Sequence, residues 1–317
     1  MVILGIESSC DDFGVSIIKD GNVVSNVVSS QIQHHLVNGG IIPELAARLH
    51  VETFHAIFKE AIKNSGLKVE EIECIGFTNE PGLIGSLIIG RIVAKTIASY
   101  LNIPIYPLNH MRGHVASAFI NNTPIYPVIS LVVSGGHTQI VLSKSIENYE
   151  VIGETQDDAI GECLDKIARK MGYNYPGGVE IDRLSQKSKC LKFDFPLVQL
   201  NNFDMSFSGL KTKALNYINN KKDYVSENIN DFANSILNAC INQVIEKTRL
   251  AIIMFSPKMI SLAGGVSANK KLRNDFVKLG TEFNIPIALP EQEYCTDNGA
   301  MIAKLLDIML REKDNVN

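Results

Sequence analysis

One order of elements occurs twice in this chain, and it restricts the possible folds more than any other feature. The apolar run Val2 to Ile6 leads into the polar turn Glu7-Ser-Ser-Cys-Asp-Asp-Phe-Gly14 and a second apolar run, Val15 to Ile18. An Asp-Gly turn at 20–21 then opens Val23 to Val28, a hairpin signal. Near the middle, Val128 to Val133, the turn Ser134-Gly-Gly-His-Thr138, Gln139 to Leu142 and Tyr149 to Ile152 repeat that order. Downstream, the strand Ile72 to Thr78, the loop 79–85 and a helix from Ser86 to Tyr100 have a counterpart. It consists of Met259 to Ala263, the loop Gly264-Gly-Val-Ser-Ala-Asn269 and a helix from Lys270. A chain of 317 residues exceeds one ordinary core. The expected class is α/β with two lobes of duplicated mixed sheets, whose equivalent turns face each other across a cleft.

The remaining helices follow from periodicity. Pro43 opens one that runs to about Asn64, with Leu45, Leu49, Phe54, Ile57, Phe58, Ala61 and Ile62 as its apolar stripe and Gly66 as its stop. The longest apolar stretch, Leu83 to Leu101, carries Arg91 and Lys95 and reads as a buried helix, not a membrane span. Hydrophobic content of 45% with 20% charge is that of a soluble globular protein. The six cysteines include no Cys-x-x-Cys, which fits a reduced cytosol and neither a zinc ribbon nor a disulfide framework. The opening residues lack the basic flank and apolar length of a signal peptide, so a cytoplasmic protein is expected. A net charge of −4 argues against a broad basic face for nucleic acid, though not against a local patch.

Several turns carry the chemistry-bearing residues. His110 and His114 stand four apart, so on a helix both imidazoles project to one side. That pair is half of a transition-metal site or simply two surface histidines. A carboxylate-rich turn is costly inside a core, so Glu7, Asp11 and Asp12 are expected to face the cleft; a solvated hairpin tip is the alternative. The segment Gly153 to Asp165 is expected to start an acidic helix, and Tyr175-Pro-Gly-Gly-Val-Glu-Ile-Asp182 to form a tight turn. Residues 187–222 concentrate lysines (187, 189, 192, 211, 213, 221 and 222), either a solvated insertion or a phosphate-contacting patch. A last helix is expected from Thr296 to Leu310, where Asp297 suits an N-cap.

Nine ordered motifs resemble one family. They are Glu7-Ser-Ser-Cys-Asp-Asp, Gly39-Gly-Ile-Ile-Pro-Glu-Leu-Ala-Ala-Arg-x-His50, Asn109-His-Met-x-Gly-His114, Ser134-Gly-Gly-His-Thr138 and Asp157-Asp-Ala-x-Gly-Glu, followed by Tyr175-Pro-Gly-Gly, Ser206-Phe-Ser-Gly-Leu-Lys-Thr, Ala263-Gly-Gly-Val-Ser-Ala-Asn269 and Cys295-Thr-Asp-Asn. Together they resemble the TsaD family, once called glycoprotease, over residues 3 to about 303. Phe13, Glu80 and Arg112 depart from its usual Thr, Gly and Glu.

The resemblance implies an actin, sugar kinase and Hsp70 (ASKHA) type fold. It implies a first lobe over 1–108 joined by a returning helix 296–317, and a second over 109–295 that holds the metal site and an insertion, 153–258. It also implies a divalent iron or zinc ion on His110, His114 and Asp297. Substrate contacts carried over are Val132, Val133, Ser134, Gly135, Gly136, Asp165, Gly178, Asp182 and Asn269, with Asp11 as a candidate base. The implied ligand is threonylcarbamoyl-AMP or an adenine nucleotide. The implied reaction is threonylcarbamoyl transfer to N6 of adenosine 37 in tRNAs that read codons beginning with adenine. Implied partners are tRNA, a TsaB-like paralogue and a TsaE-like ATPase, with a separate synthase making the donor and no membrane involved. The lysine-rich patch is then a candidate tRNA contact through Lys211 and Lys213, and the stripe of 43–64 either a docking face for the paralogue or simply core. Two other classes are a metal-dependent glycoprotease, against which the lack of His-Glu-x-x-His argues, and a non-catalytic nucleotide-binding scaffold.

Overall fold

The computed structural model describes residues 1–36, 40–197 and 200–314. Gly39 of the motif before Pro43, two positions of the lysine-rich segment and the last three residues of the helix expected through 317 lie outside the described residues. The chain divides into two compact units, Met1–Thr123 with Pro290–Asn317, and Pro124–Leu289.

In the first unit, β1 (Val2–Glu7), β2 (Asp12–Lys19) and β3 (Asn22–Ser30) form an antiparallel meander. Asp20 and Gly21 both have positive φ, 51° and 87°, which suits a tight turn between twisted strands. Then come α1 (Ile32–Leu36), α2 (Pro43–Ser65), β4 (Cys74–Glu80), α3 (Ile84–Leu101), β5 (Ile105–Asn109) and α4 (His110–Ser117). β4 and β5 add in parallel, giving the order β3-β2-β1-β4-β5.

The second unit contains β6 (Val128–Val133), β7 (Thr138–Ser143), β8 (Tyr149–Glu154), α5 (Ile160–Lys170), α6 (Gly177–Ser185), α7 (Ser208–Asn220), α8 (Lys222–Glu227), α9 (Ile229–Phe255), β9 (Met259–Ala263), α10 (Lys270–Glu282) and β10 (Ile287–Ala288). Its sheet order, β10-β9-β6-β7-β8, has the same antiparallel half and parallel half as the first. The repeated element order thus corresponds to a repeated sheet. The chain returns to the first unit with α11 (Gly299–Asp314).

Alternation in β1 sets what covers each face. Val2, Leu4 and Ile6 join a core with Val93, Ala94 and Ala98 of α3 and Ala61 of α2. Gly5 faces the other way, where a Cβ would lie 2.3 Å from the Gly299 carbonyl oxygen. α11 therefore rests its first turn directly on sheet backbone.

Several expectations need correction, among them the tight turn expected over 175–182, where α6 already begins at Gly177. The first unit extends through Thr123 and resumes at Pro290, instead of ending at 108 and resuming at 296. The reason is that α4 packs on α11, with Gly113 so close to Ile302 that a Cβ would lie 2.8 Å from its Cδ1; the two histidines therefore belong to the first unit. The helix expected from Gly153 begins only at Ile160. Asp157 instead accepts hydrogen bonds from the backbone N–H groups of Phe207 and Ser208 at 2.7 and 3.1 Å, capping α7, and Asp158 pairs with Lys166 and Lys211. The stripe of α2 is core, since Phe54, Ile57, Phe58 and Ile62 pack against it. The helix Ile84–Leu101 is buried on one face only: Val93, Ala94 and Ala98 join the core, whereas Ile84, Ile88 and Ile92 are 78%, 47% and 54% exposed. These isoleucines recur every four residues, so they form one apolar outer stripe.

Candidate metal centre and substrate turns

The Asn109 side chain accepts from the Arg112 N–H at 3.1 Å, so the cap fixes the start of α4 at His110. His110 and His114 are then one turn apart, ring centroids 4.6 Å apart and both buried. Opposite them, the Asn298 side chain accepts from the Met301 N–H at 3.1 Å and so caps α11. The capping role open to Asp297 is thus taken by its neighbour. Asp297 Oδ1 instead lies 3.1 Å from His114 Nε2 and 3.7 Å from His110 Nε2. One ligand atom from each of the three residues falls within 4.8 Å of the others.

Glu7, expected from the sequence to face the cleft, is instead the immediate support of this group. It is fully buried, not cleft-facing or solvated. Its Oε2 sits 3.1 Å from His110 Nδ1 and accepts from the Thr78 hydroxyl at 2.5 Å, while Oε1 accepts from the Ser9 N–H at 2.6 Å. These partners offset the cost of burying a carboxylate. The bond to Nδ1 leaves His110 Nε2 directed toward Asp297, the pattern by which a carboxylate orients a metal-ligating imidazole. Burial alone would depress His110, but Glu7 and Asp297 outweigh it and raise the imidazole to about 9. Burial pushes Glu7 upward and His110 more than reverses that, leaving it below the usual carboxylate range. Two carboxylates thus draw positive charge to this point. Two imidazole nitrogens and one carboxylate oxygen fit a divalent transition metal.

Asp11 is buried in the β1–β2 turn. Beside it, burial pushes Asp12 up to about 7, although the Ser30 hydroxyl and the Gln31 N–H pull the other way. Phe13 is core, with its ring 5.2 Å from that of His50, and Glu80 is exposed.

In the second unit, Val132 and Val133 end β6 in the core, and Ser134 to Gly136 form the turn to β7. The Ser134 N–H donates to the His137 carbonyl at 2.8 Å, and the His137 N–H to the Ser134 hydroxyl at 3.0 Å. Gly135 and Gly136 are exposed, and a Cβ on either would meet nothing within 4 Å. Gly264, at φ +85°, brings the β9–α10 loop so close that a Cβ would lie 2.4 Å from the Val133 oxygen. Both turns therefore lie at the carboxyl ends of adjacent parallel strands, where this class of sheet binds ligands.

Asp165 accepts from the Gly178 N–H at 2.7 Å and so anchors the start of α6. Further along α6, one oxygen of Asp182 is buried without a close hydrogen-bond partner among the described residues, and the Asn269 side chain lies beside that carboxylate. Burial raises Asp182 above the usual carboxylate range. Asn269 also caps α10, accepting from the Leu272 N–H at 2.9 Å. Asp182 lines a concavity of about 600 Å³ with Lys189, Lys270, Lys271 and Lys278. The expected tRNA contacts are less free than sequence suggests. Lys211 is paired with Asp158, and Lys213 with Asp194 at 3.0 Å.

This arrangement has the fold of the actin, sugar kinase and Hsp70 class. Full-length HypF superposes with a TM-score of 0.65 at 13% identity, covering 98% of this chain and 55% of that one. The ROK hexokinase from Thermus thermophilus does so with 0.50 at 15%, covering 99% and 100%. Such identities show fold alone. The family model for TsaD, tRNA N6-adenosine threonylcarbamoyltransferase, matches residues 22–304, and the chain belongs to that transferase family. A relative bearing that name from Mesoplasma florum is 51% identical, over 96% of this chain and 97% of its own. Another from Mycoplasma capricolum is 48% identical over 99% and 100%.

Proposed function

We propose that this chain transfers the threonylcarbamoyl group of threonylcarbamoyl-AMP to the N6 amine of adenosine 37 in tRNAs reading codons that begin with adenine. The observation that carries the proposal is near-full-length identity of about half to relatives named for this transfer. In the reaction the N6 nitrogen forms a bond to the carbamoyl carbon, the bond from that carbon to the phosphate oxygen breaks, and AMP leaves. The adenine amine is a weak nucleophile, so positioning and carbonyl polarisation supply most of the acceleration. His110, His114 and Asp297 would hold a divalent iron or zinc ion, whose chemistry when bound is that of a Lewis acid toward carbonyl oxygens. Glu7 keeps His110 in the orientation this requires. Exposed backbone N–H groups of Gly135 and Gly136 suit the adenylate phosphate. Asp182 and Asn269 suit the nucleoside hydroxyls, and Asp165 acts through α6, presenting Gly178. Asp11 takes the proton released from N6.

A TsaB-like paralogue and a TsaE-like ATPase complete the cytoplasmic system, and a separate synthase supplies the donor. The exposed isoleucine stripe of α3, not the stripe of α2, is the docking face for the paralogue. The test is threonylcarbamoyl transfer to an unmodified tRNA of that codon class, with and without the partners. The complete system should form the modified adenosine. An Ile88→Glu variant should lose at least about tenfold of the partner-dependent rate, as expected for a charge placed in an apolar contact. No product in the complete system would overturn the transferase reading, and an unaffected Ile88→Glu would overturn the docking face.

A further inference from the structure

Among the buried polar side chains of the first unit outside the metal group, three form a connected set. Gln31, His35 and His50 are 2%, 1% and 0% exposed. Each needs partners, and the partners form one chain. The Ile42 N–H donates to His35 Nδ1 at 3.4 Å, so the remaining ring N–H of neutral His35 is at Nε2, which donates to Gln31 Oε1 at 3.2 Å. Gln31 Nε2 then faces His50 Nδ1 at 2.8 Å and the Ala46 carbonyl at 3.2 Å. With Nδ1 accepting, the N–H of His50 is at Nε2, and it donates to the Cys10 carbonyl at 3.1 Å. Carbonyls only accept, so the hydrogen-bond pattern assigns every amide and ring orientation without conflict.

The chain also closes on itself. The backbone N–H of Gln31 lies beside the Asp12 carboxylate and pulls its pKa down against burial. Gln31 therefore ties Cys10 through His50 and has its backbone beside Asp12, on either side of Asp11. The Leu83 N–H holds the same turn by donating to the Ser9 carbonyl at 2.7 Å.

We propose that Gln31 and His50 are positioning residues that fix the Cys10–Asp12 turn, and with it the Asp11 carboxylate, for the transfer reaction. Apolar side chains of similar size would fill the space beneath the turn, but only a directed hydrogen bond sets the orientation of the Cys10 peptide. Burial lowers His50 to about 4, which keeps the ring in its neutral form at neutral pH.

This role presupposes the transferase activity proposed for the chain, so the wild type is assayed beside the variants, metal-loaded and with the partner proteins. Each is given threonylcarbamoyl-AMP and unmodified tRNA. His50→Leu removes the donor to Cys10. It should lower kcat at least about tenfold, leave both KM values within about threefold and leave metal content unchanged. His50→Gln can still donate to the Cys10 carbonyl and accept from Gln31, and it should restore at least about a third of the rate. Either a His50→Leu enzyme with wild-type kcat or a rate loss that His50→Gln does not relieve would overturn the role. So would a loss that tracks metal content. A wild type that transfers nothing would overturn the transferase reading and this role with it, whereas an active wild type isolates the relay.

Discussion

Replacing His114 by alanine should leave a folded protein that holds no metal at stoichiometry and transfers no measurable threonylcarbamoyl. One of three protein ligands is lost, and among the described residues no other His, Cys, Asp or Glu joins the group around the Nε2 placed 3.1 Å from Asp297. Losing even a residue that orients a ligand lowers metal affinity roughly 10- to 100-fold, and losing the ligand itself costs more. His110→Ala should behave alike, with the added burden that Glu7 is left buried without its imidazole partner. Glu7→Gln should fall between, retaining metal with roughly 10- to 100-fold lower affinity. Elemental analysis of the purified proteins, a thermal melt and the transfer assay decide among them. A His114→Ala protein with full metal content and full activity would remove the triad from the proposal.

The fold was legible because its signals are local. The short apolar runs and the Asp20-Gly21 turn specify strands and a hairpin whatever surrounds them, and the same order of runs recurs from Val128. What stayed hidden depended on contacts far apart in sequence. Nothing near Gly153 shows that Asp157 caps a helix starting at Ser208, so the acidic run read as a helix start. Periodicity showed that Leu83 to Leu101 is apolar, but not that Ile84, Ile88 and Ile92 face outward. At the metal group, the spacing of His110 and His114 was readable, whereas the third residue came from resemblance. Asp297 has its place because Asn298 caps α11. The support Glu7 gives His110 was not legible, because a carboxylate after a buried strand reads as cleft-facing or solvated unless its partners, 71 and 103 residues away, are known.

Gly299→Ala should show that the sheet itself sets the metal group. A Cβ there would lie 2.5 Å from the Ser16 nitrogen and 2.8 Å from the Gly5 oxygen. Both are backbone atoms of adjacent strands and cannot swing aside as a side chain would. α11 must back away, and Asn298 and Asp297 move with its first turn while α4 keeps His110 and His114. The expected cost is about 3 kcal/mol, since overpacking a well-filled contact costs about 1–3 and occasionally more. That corresponds to a fall in Tm of roughly 6–12 °C. Metal content should drop along with stability, although no ligand has been altered. Gly40→Ala is the control, because a Cβ there meets nothing within 4 Å, and it should stay within about 0.5 kcal/mol of wild type. A Gly299→Ala protein with the melting temperature and metal content of wild type would show that α11 tolerates displacement, and that Asp297 is held by something other than its seat on β1 and β2.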